Sequence, residues 1–227
     1  MGLGFAGNSG SYAELANAYS GILAGARGTI AFWMKPTAYN YGFPLATKNA
    51  GAGGVFAELN NVSGGMYLGI NGTYPLVASS ALQPNVWTHV AIINSAVGWW
   101  RIVNNVIVAS STAGTFAAGG TSLWLGRWDN TPDYPYSGKL ADIRVWNRGL
   151  NPYEIYLAYS GVDVTDGLAA RWKLDQLSGS TFDSTIGTFP GTITGTAVWD
   201  SDMPTYGTFP GASAALTGFR NRGVRIA

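Results

Sequence analysis

Short runs of alternating apolar and polar residues recur along most of the chain, separated by Gly, Asn, Ser and Pro. This pattern is typical of the many short strands of a β-sandwich or β-barrel. Only Asn104 and Asn105 separate two of these runs, and Asn tolerates the positive φ angles of a two-residue turn, so we predict a β-hairpin there. The predicted strands are 29–35, 66–70, 87–93, 100–103, 106–110, 122–126 and 139–146.

One segment has the features of a helix start. Asn151 is a preferred N-cap residue, Pro152 suits the first helical position, and Glu154 stands three residues after the cap, as in a capping box. Ile155 and Tyr159 then share one face. We expect a short helix that seals one end of the sandwich, because so small an apolar face cannot hold a helix in place alone.

Composition excludes several classes of protein. Charged residues make up 11% of the 227 positions, against about 25% in ordinary globular proteins, which excludes a coiled coil, a helix bundle and a charged disordered chain. The net charge of +1 gives no reason to expect binding to nucleic acid or to an anionic membrane. Without cysteine there is no disulfide, thiolate metal site or cysteine nucleophile. No apolar stretch is long enough for a transmembrane helix.

A set of motifs in a particular order covers about two-thirds of the chain. They include Trp-Thr-His-Val-Ala at 87–91 and Leu-Trp-Leu-Gly at 123–126. The full set lies at 3–7 with Tyr12, 32–37, 87–91, 106–110, 123–126 and 138–150. It resembles the laminin G-like, concanavalin A-like lectin–glucanase jelly-roll family. The resemblance implies an all-β fold, an antiparallel β-sandwich with one short helix near 151–159.

Residues 167–200 also resemble that family, but in many members the equivalent segment precedes the opening strand. The order therefore looks circularly permuted, which a sandwich with neighbouring ends tolerates. We predict a single domain over 1–200, with 167–200 as its permuted closing segment, and a C-terminal extension with a basic tail over 201–227. This order resembles LamG-like proteins of bacteriophages.

The same family includes glucanases, and glycoside hydrolysis usually needs two carboxylates about 5–10 Å apart. The glucanase-like ExDxxE pattern is missing, and Glu14 and Glu58 are the only acidic residues among the first 100. His89 is the only histidine, on a predicted strand face with Ala91 and Ile93, and a half-buried structural imidazole is the better interpretation. We expect no catalytic residues and no enzyme, although distant carboxylates could still pair in the fold.

Calcium is the cofactor that the resemblance raises, since some relatives bind it through loop acids. Solvated loop acids are the competing interpretation, and no metal site is assigned. The close acidic pairs are Asp129 with Asp133, Asp163 with Asp166, and Asp200 with Asp202.

Asp142 and Arg144 alternate with Leu140 and Trp146 along one predicted strand. Such alternation places all four side chains on one face. A cross-strand polar pair with a structural role is expected for Asp142 and Arg144.

Two loops combine aromatic rings with polar neighbours, a composition that suits stacking on sugar rings. They are 39–43 and 128–136. The same rings could instead pack on their own sandwich or on a neighbouring subunit. Of Trp99 and Trp100, one should face inward and the other outward. The candidate ligand-binding residues are Tyr39, Tyr41, Trp128, Asp129, Asn130, Tyr134 and Tyr136.

The leading hypothesis is a non-catalytic structural or attachment protein of a bacteriophage particle, such as a capsid decoration, head fibre or tail-associated subunit. A surface with few charges favours packing into an assembly, here a homo-oligomer with other virion proteins as partners. Arg220, Arg222 and Arg225 would contact a neighbouring protein or form a disordered solubilising tail.

The alternative is a carbohydrate-binding, lectin-like module with glycans as partners, and a glycosidase comes third. The N-terminus lacks the basic and apolar regions of a secretory signal. The corresponding location is a virion assembled in the host cytoplasm, with an extracellular location as the alternative.

Overall fold

A computed structural model describes residues 1–39, 41–48, 54–59, 65–70, 73–78, 82–112, 114–128 and 134–207. Within these ranges the chain forms two antiparallel sheets and two short helices. In chain order the elements are β1 (Gly2–Ala6), β2 (Tyr12–Leu15), α1 (Ala18–Ile22), β3 (Gly28–Pro36), β4 (Gly42–Thr47), β5 (Val55–Leu59), β6 (Met66–Ile70), β7 (Thr73–Ala78), β8 (Thr88–Ser95), β9 (Gly98–Val103), β10 (Val106–Ser111), β11 (Leu123–Leu125), β12 (Ser137–Trp146), α2 (Pro152–Tyr159), β13 (Leu168–Trp172), β14 (Thr181–Phe182), β15 (Gly191–Thr194) and β16 (Val198–Asp200).

The two sheets face each other across one apolar core, and the all-β sandwich is confirmed. Sheet A has the order β10-β9-β8-β3-β12-β1-β16, with β13 also paired to β12, and sheet B has the order β14-β15-β2-β11-β4-β5-β6-β7. Alternate residues of the central strands point inward, such as Phe32 and Val90 from sheet A and Leu45 and Leu68 from sheet B. The intervening residues form the outer face of each sheet.

The seven predicted strands are all present, and no strand end is shifted by more than two residues. The predicted hairpin is confirmed, since Asn104 and Asn105 have φ angles of 45° and 64°. The amide oxygen of Asn104 also accepts a hydrogen bond from the backbone N–H of His89, at 2.9 Å. Trp99 lies in the core between the sheets, while Trp100 packs on the outer face of sheet A, as predicted.

Helix α2 begins with the predicted capping box. The Asn151 side chain accepts from the backbone N–H of Glu154 at 3.0 Å, and the Glu154 carboxylate accepts from that of Asn151 at 2.8 Å. The predicted place of the helix at one end of the sandwich is wrong. Ile155 and Ala158 pack with Trp146 in a second apolar cluster on the outer face of sheet A. The helix covers that face because alternate residues of β3, β8, β9 and β12 present apolar side chains there.

A β-bulge in β12 overturns the predicted common face of Leu140, Asp142, Arg144 and Trp146. The register with β3 shifts between Ala141 and Arg144, and Asp142 has a φ of 45°. Leu140 therefore points into the core between the sheets, whereas Trp146 points to the outer face. Asp142 forms one ion pair with Arg144 within β12 and a second with Arg171 on the neighbouring strand β13. A cross-strand polar pair is therefore present, although it joins Asp142 to Arg171.

The C-terminal part of the described chain adds edge strands to both sheets. β13 pairs with β12, β15 with β2 and β16 with β1. Beyond β16, Asp202 accepts hydrogen bonds from Lys35, Lys139 and Trp87, which attaches residues 201–207 to sheet A. The domain boundary and the permutation stay predictions. Neither helix in the described part of the chain is long and apolar enough to cross a membrane.

Candidate functional site

The outer face of sheet B carries a row of side chains that runs across five strands. The strand register places Glu14, Trp124, Ala46, Phe56 and Gly69 opposite one another on β2, β11, β4, β5 and β6. Large and small residues alternate along this row. A Cβ atom at Gly69 would overlap the ring of Phe56, so glycine at this position makes the room that the ring occupies.

Three aromatic side chains pack against one another on this face. They are Phe43, Phe56 and Trp128, and we call them the aromatic cluster. The ring centroids of Phe43 and Trp128 are 4.6 Å apart, those of Phe56 and Trp128 are 4.5 Å apart, and those of Phe43 and Phe56 are 5.5 Å apart. The Phe56–Trp128 pair is edge-to-face, a favourable arrangement for aromatic rings. Phe43 and Phe56 are buried, so the cluster is a fixed base for the residues around it.

Two exposed tyrosines stand beside the aromatic cluster. Tyr41 is 42% exposed and Tyr134 is 52% exposed, and their ring centroids lie 5.8 Å apart. The backbone N–H of Phe43 donates to the carbonyl of Tyr134 at 3.3 Å, which joins the two predicted loops. A Cβ atom at Gly42 would stand 2.9 Å from the carbonyl oxygen of Pro135, so glycine is needed for this close approach.

These residues enclose a cavity of about 450 Å³, within the range of small-molecule sites. The described residues that line it are Tyr41, Phe43, Glu58, Trp128 and Tyr134. We call it the sheet B pocket. Glu58 is 9% exposed and follows Phe56 by two positions on β5, so both side chains point to the outer face.

Next to the pocket, two cations lie against aromatic rings. The guanidinium of Arg127 lies 4.6 Å from the ring centroid of Tyr12 and 4.3 Å from that of Trp124. Lys48 forms an ion pair with Glu14 at 2.9 Å. Burial alone would raise the pKa of Glu14, but hydrogen bonds from Ser122 and Lys48 outweigh it and hold that pKa below its ordinary value.

Only some of the predicted ligand-binding residues come together in the structure. Tyr41, Trp128 and Tyr134 line the sheet B pocket. Tyr39 does not line it, and its hydroxyl donates to the carbonyl of Leu82 at 3.1 Å. The prediction that Tyr136 binds a ligand is wrong, because its side chain is fully buried in the core and cannot reach a ligand on the surface. Outside the described residues lie Asp129, Asn130, Arg220, Arg222 and Arg225.

Sequence reasoning missed Phe56 and Glu58 as site residues. Both are on β5, whereas the predicted ligand-binding residues come from two aromatic loops. The signal was nevertheless present, because Val-Phe-Ala-Glu-Leu at 55–59 alternates an aromatic ring and an acid with small and branched apolar residues.

A second constellation of ionisable groups lies buried on the outer face of sheet A. The Asp142 carboxylate accepts from Arg144 at 2.6 Å, from Arg171 at 2.8 Å and from the Tyr206 hydroxyl at 3.1 Å. Arg171 also pairs with Asp163 at 2.6 Å. Burial favours the neutral acid, but the two arginines hold the pKa of Asp142 below its ordinary value. Its carboxylate is thus already surrounded by donors of the chain itself.

His89 lies beside this network and is buried more completely than the half-buried imidazole that we predicted. Its ring is 5.2 Å from that of Trp33 and 5.7 Å from that of Tyr159, centroid to centroid. Burial, assisted by the charge of Arg144, lowers its pKa to about 3. The imidazole is therefore neutral near pH 7 and packs as an aromatic ring.

Two of the three acidic pairs considered for calcium lie within the described residues. Both form ion pairs with lysine or arginine side chains of the same chain. Asp200 and Asp202 pair with Lys139, and Asp163 and Asp166 pair with arginines. Asp129 and Asp133 lie outside the described residues. The described part of the chain has no cluster of three metal-ligating side chains, and calcium binding stays an untested alternative.

The fold class defined above is that of a jelly-roll β-sandwich. The sequence profile of the concanavalin A-like lectin/glucanases superfamily matches residues 7–156, well over half of the chain. The chain belongs to this superfamily. A search of curated proteins found no significant match.

Solved structures with the same fold include three that illustrate its range. A candidate carbohydrate-binding protein from Bacteroides ovatus is 19% identical, with a TM-score of 0.66 over 90% of this chain and 62% of its own length. The SAP-like pentraxin of Limulus polyphemus is 17% identical, with a TM-score of 0.57 over 69% and 81% of the two chains. The CBM40 domain of the Ruminococcus gnavus IT-sialidase is 18% identical, with a TM-score of 0.54 over 67% and 93%. At such identities these likenesses show the fold alone.

Proposed function

We propose that this protein is a non-catalytic carbohydrate-binding module and that the sheet B pocket binds a sugar ring. The observation that carries the proposal is the pocket itself, in which rings from two separate loops meet above a buried aromatic base. Aromatic side chains bind sugars by covering the apolar face of the ring, while polar groups at the edge fix its orientation.

Each lining residue has a part in this proposal. Trp128 and Tyr41 offer ring faces and edges for stacking, and the Tyr134 hydroxyl can donate to or accept from a sugar hydroxyl. The Glu58 carboxylate accepts hydrogen bonds, which several hydroxyls of one sugar ring can donate. The buried Phe43 and Phe56 hold these groups in place, so binding requires little ordering of side chains.

The absence of catalysis is part of the proposal. Glycoside hydrolysis usually uses two carboxylates on opposite sides of the scissile bond. Glu58 is the only carboxylate among the described residues that line the pocket. One acidic group can orient a sugar, but it cannot act as both acid and base or nucleophile.

The names of two structural neighbours, a candidate carbohydrate-binding protein and a CBM40 domain, support carbohydrate binding at the level of the fold. The comparisons give no support to a role in a bacteriophage particle, so we place carbohydrate binding first. The expected homo-oligomer, virion partners and arginine contacts stay predictions, as does the cellular location.

The test is a glycan array followed by calorimetric titration of the sugars that bind. Tyr41→Ala removes an exposed ring, and Tyr134→Asn removes another while suiting the positive φ of 60° at that position. Each variant should weaken binding about tenfold or more, as the loss of one stacking ring predicts. Tyr153→Ala is the matched control, because this tyrosine is 39% exposed on α2. Failure to bind any glycan, or an equal loss in the control, would overturn the proposal.

A further inference from the structure

The buried arginines differ in how their charge is compensated. Arg144 and Arg171 each form an ion pair with Asp142. Arg101 is 1% exposed, and no carboxylate in the described part of the chain pairs with it. A buried charge without a counter-charge is costly for the folded state. We infer that Arg101 forms a binding site for a small monovalent anion inside the sandwich, independently of the proposed sugar binding.

The side chain of Arg101 points between the two sheets. Arg101 is on β9, next to the edge strand β10 of sheet A. Trp99 and Val103, two positions before and after it, pack in the core, so alternation directs the guanidinium inward as well. Its Nη1 donates to the backbone carbonyl of Met66 on β6 of sheet B. The guanidinium therefore bridges the two sheets.

The contact with Met66 satisfies only part of the guanidinium. Its Nε is buried and has no hydrogen-bond partner within the described ranges. A guanidinium offers several N–H donors in one plane, and two of them can bind the same anion. The carbonyl of Met66 carries no net charge, so it accepts a hydrogen bond without cancelling the charge of Arg101. An anion beside Nε would supply both an acceptor and a counter-charge.

A small residue stands beside Arg101 toward the edge of sheet A. The strand register places Ile92 of β8 on one side of Arg101 and Ala109 of β10 on the other. A β-bulge between Ile107 and Ala109 shifts this register, and Ala109 packs against the core. Ala109 is half-buried, so on this side a methyl group separates the guanidinium from the edge of the sheet.

Charge and burial specify the class of anion. Burial lowers the pKa of Arg101 from 12.5 to about 10, so the guanidinium is protonated near pH 7 and carries one positive charge. A monovalent anion cancels this charge. A divalent anion would leave a net negative charge in the core and would lose more hydration on entry. We therefore expect chloride, bromide and nitrate to bind, and sulfate not to bind.

Chemical denaturation in different salts is the direct test. Chloride replaces the bulky anion gluconate at constant ionic strength and pH 7, and the equilibrium constant for folding is measured in urea. For the wild type this constant should rise about tenfold when chloride reaches about ten times its Kd. Arg101→Met should lose the dependence on chloride, because methionine keeps the apolar part of the side chain without its charge. Sulfate, which stabilises proteins generally, should act equally on both proteins. The same chloride dependence in both would overturn the inference.

Two further variants separate this site from general effects of salt. In Ala109→Leu a larger side chain fills the space beside the guanidinium, so the chloride dependence should fall although Arg101 is retained. Full dependence in this variant would place the anion elsewhere. Arg148→Met is the matched control, because it removes a partly exposed arginine that pairs with Glu154. It should keep the chloride dependence of the wild type, and a loss in this control would contradict the assignment to Arg101.

Bromide locates the anion directly and needs no variant. Crystals of the wild-type protein soaked in sodium bromide should show an anomalous scattering peak in contact with the guanidinium of Arg101. Bromide peaks confined to the outer surface would indicate an adventitious ion only and would overturn the inference. Because this measurement uses the wild type, it decides the question even where Arg101→Met does not fold.

Discussion

The outer faces of the two sheets arise from the same alternation of side chains, but different parts of the chain pack on them. On sheet A, helix α2 together with Val164 and Tyr206 covers the face, so Trp33 and Trp146 are buried. On sheet B, Tyr41 and Tyr134 remain exposed beside the aromatic cluster. The difference lies in what covers each face, which the alternation of one strand does not specify.

Covering a face also changes what its charged residues can do. On sheet A, Asp142 receives donors from Arg144, Arg171 and Tyr206, and burial makes such complete pairing necessary. On sheet B, Glu58 lies at the wall of a cavity that a ligand can enter. The dense group of ionisable residues on sheet A therefore has a structural role, while the sheet B face carries the pocket to which we assign sugar binding.

The largest effect is expected from removing the charge at the centre of the buried network. Asp142→Asn leaves two arginines in a buried site without their shared counterion. The free energy of unfolding should fall by about 3–5 kcal/mol. Chemical denaturation measures this change, and glycan binding by the folded fraction should be retained.

Asp166→Asn is the control for that substitution. Its side chain is 85% exposed and pairs with Arg148 at the surface. An exposed ion pair contributes about 0–1 kcal/mol, so stability should hardly change. Equal losses in the two variants would contradict the structural role of the buried network.

Much of the fold was predictable because its signals are local. The Asn104–Asn105 turn and the capping box at Asn151 depend only on adjacent residues. The bulge at Asp142 was not predictable from alternation, because one inserted residue reverses the faces of all that follow. Helix α1 was not predicted either, because its five residues are too few to show the apolar period of a helix.

The candidate site was predictable only in part. Its two loops were identified from composition, but their meeting depends on the pairing of distant strands. Tyr136 belongs to one of these loops in sequence and yet points into the core. The loop sequence supplies the ring types, whereas the register of β4 with β5 brings Phe56 and Glu58 to them.

The next effect concerns the pH dependence of the covered face. The pKa of His89 is lowered from 6.5 to about 3, so below pH 6.5 the unfolded chain takes up a proton that the folded protein does not. His89 thus contributes stability that is complete above pH 6.5 and decreases as the pH falls toward 3. The slope should be at most about 1.4 kcal/mol per pH unit.

His89→Phe keeps an aromatic ring against Trp33 and Tyr159 and should remove this slope between pH 6.5 and 5. Asp142 has its pKa lowered from 3.8, so its own contribution is lost only at lower pH. Urea unfolding of both proteins across this range measures the difference. Identical slopes would show that His89 is not held neutral by the fold.

A smaller loss is expected from the cap of the covering helix. Asn151→Ala removes the acceptor of the Glu154 N–H at the start of α2. Loss of an N-cap costs about 1 kcal/mol. Thermal unfolding should show a correspondingly lower Tm, whereas Asn151→Asp, which keeps an acceptor, should show little change.

The smallest effect on stability is expected where the proposed effect on binding is large. Tyr41 contacts Tyr134 by ring edge and is 42% exposed, so Tyr41→Ala removes little buried surface. Its free energy of unfolding should stay within about 0.5 kcal/mol of the wild type. Denaturation measured beside glycan titration of the same sample checks both. A large loss of stability would mean that this ring is packed into the aromatic cluster, and the contrast between the two outer faces would no longer hold.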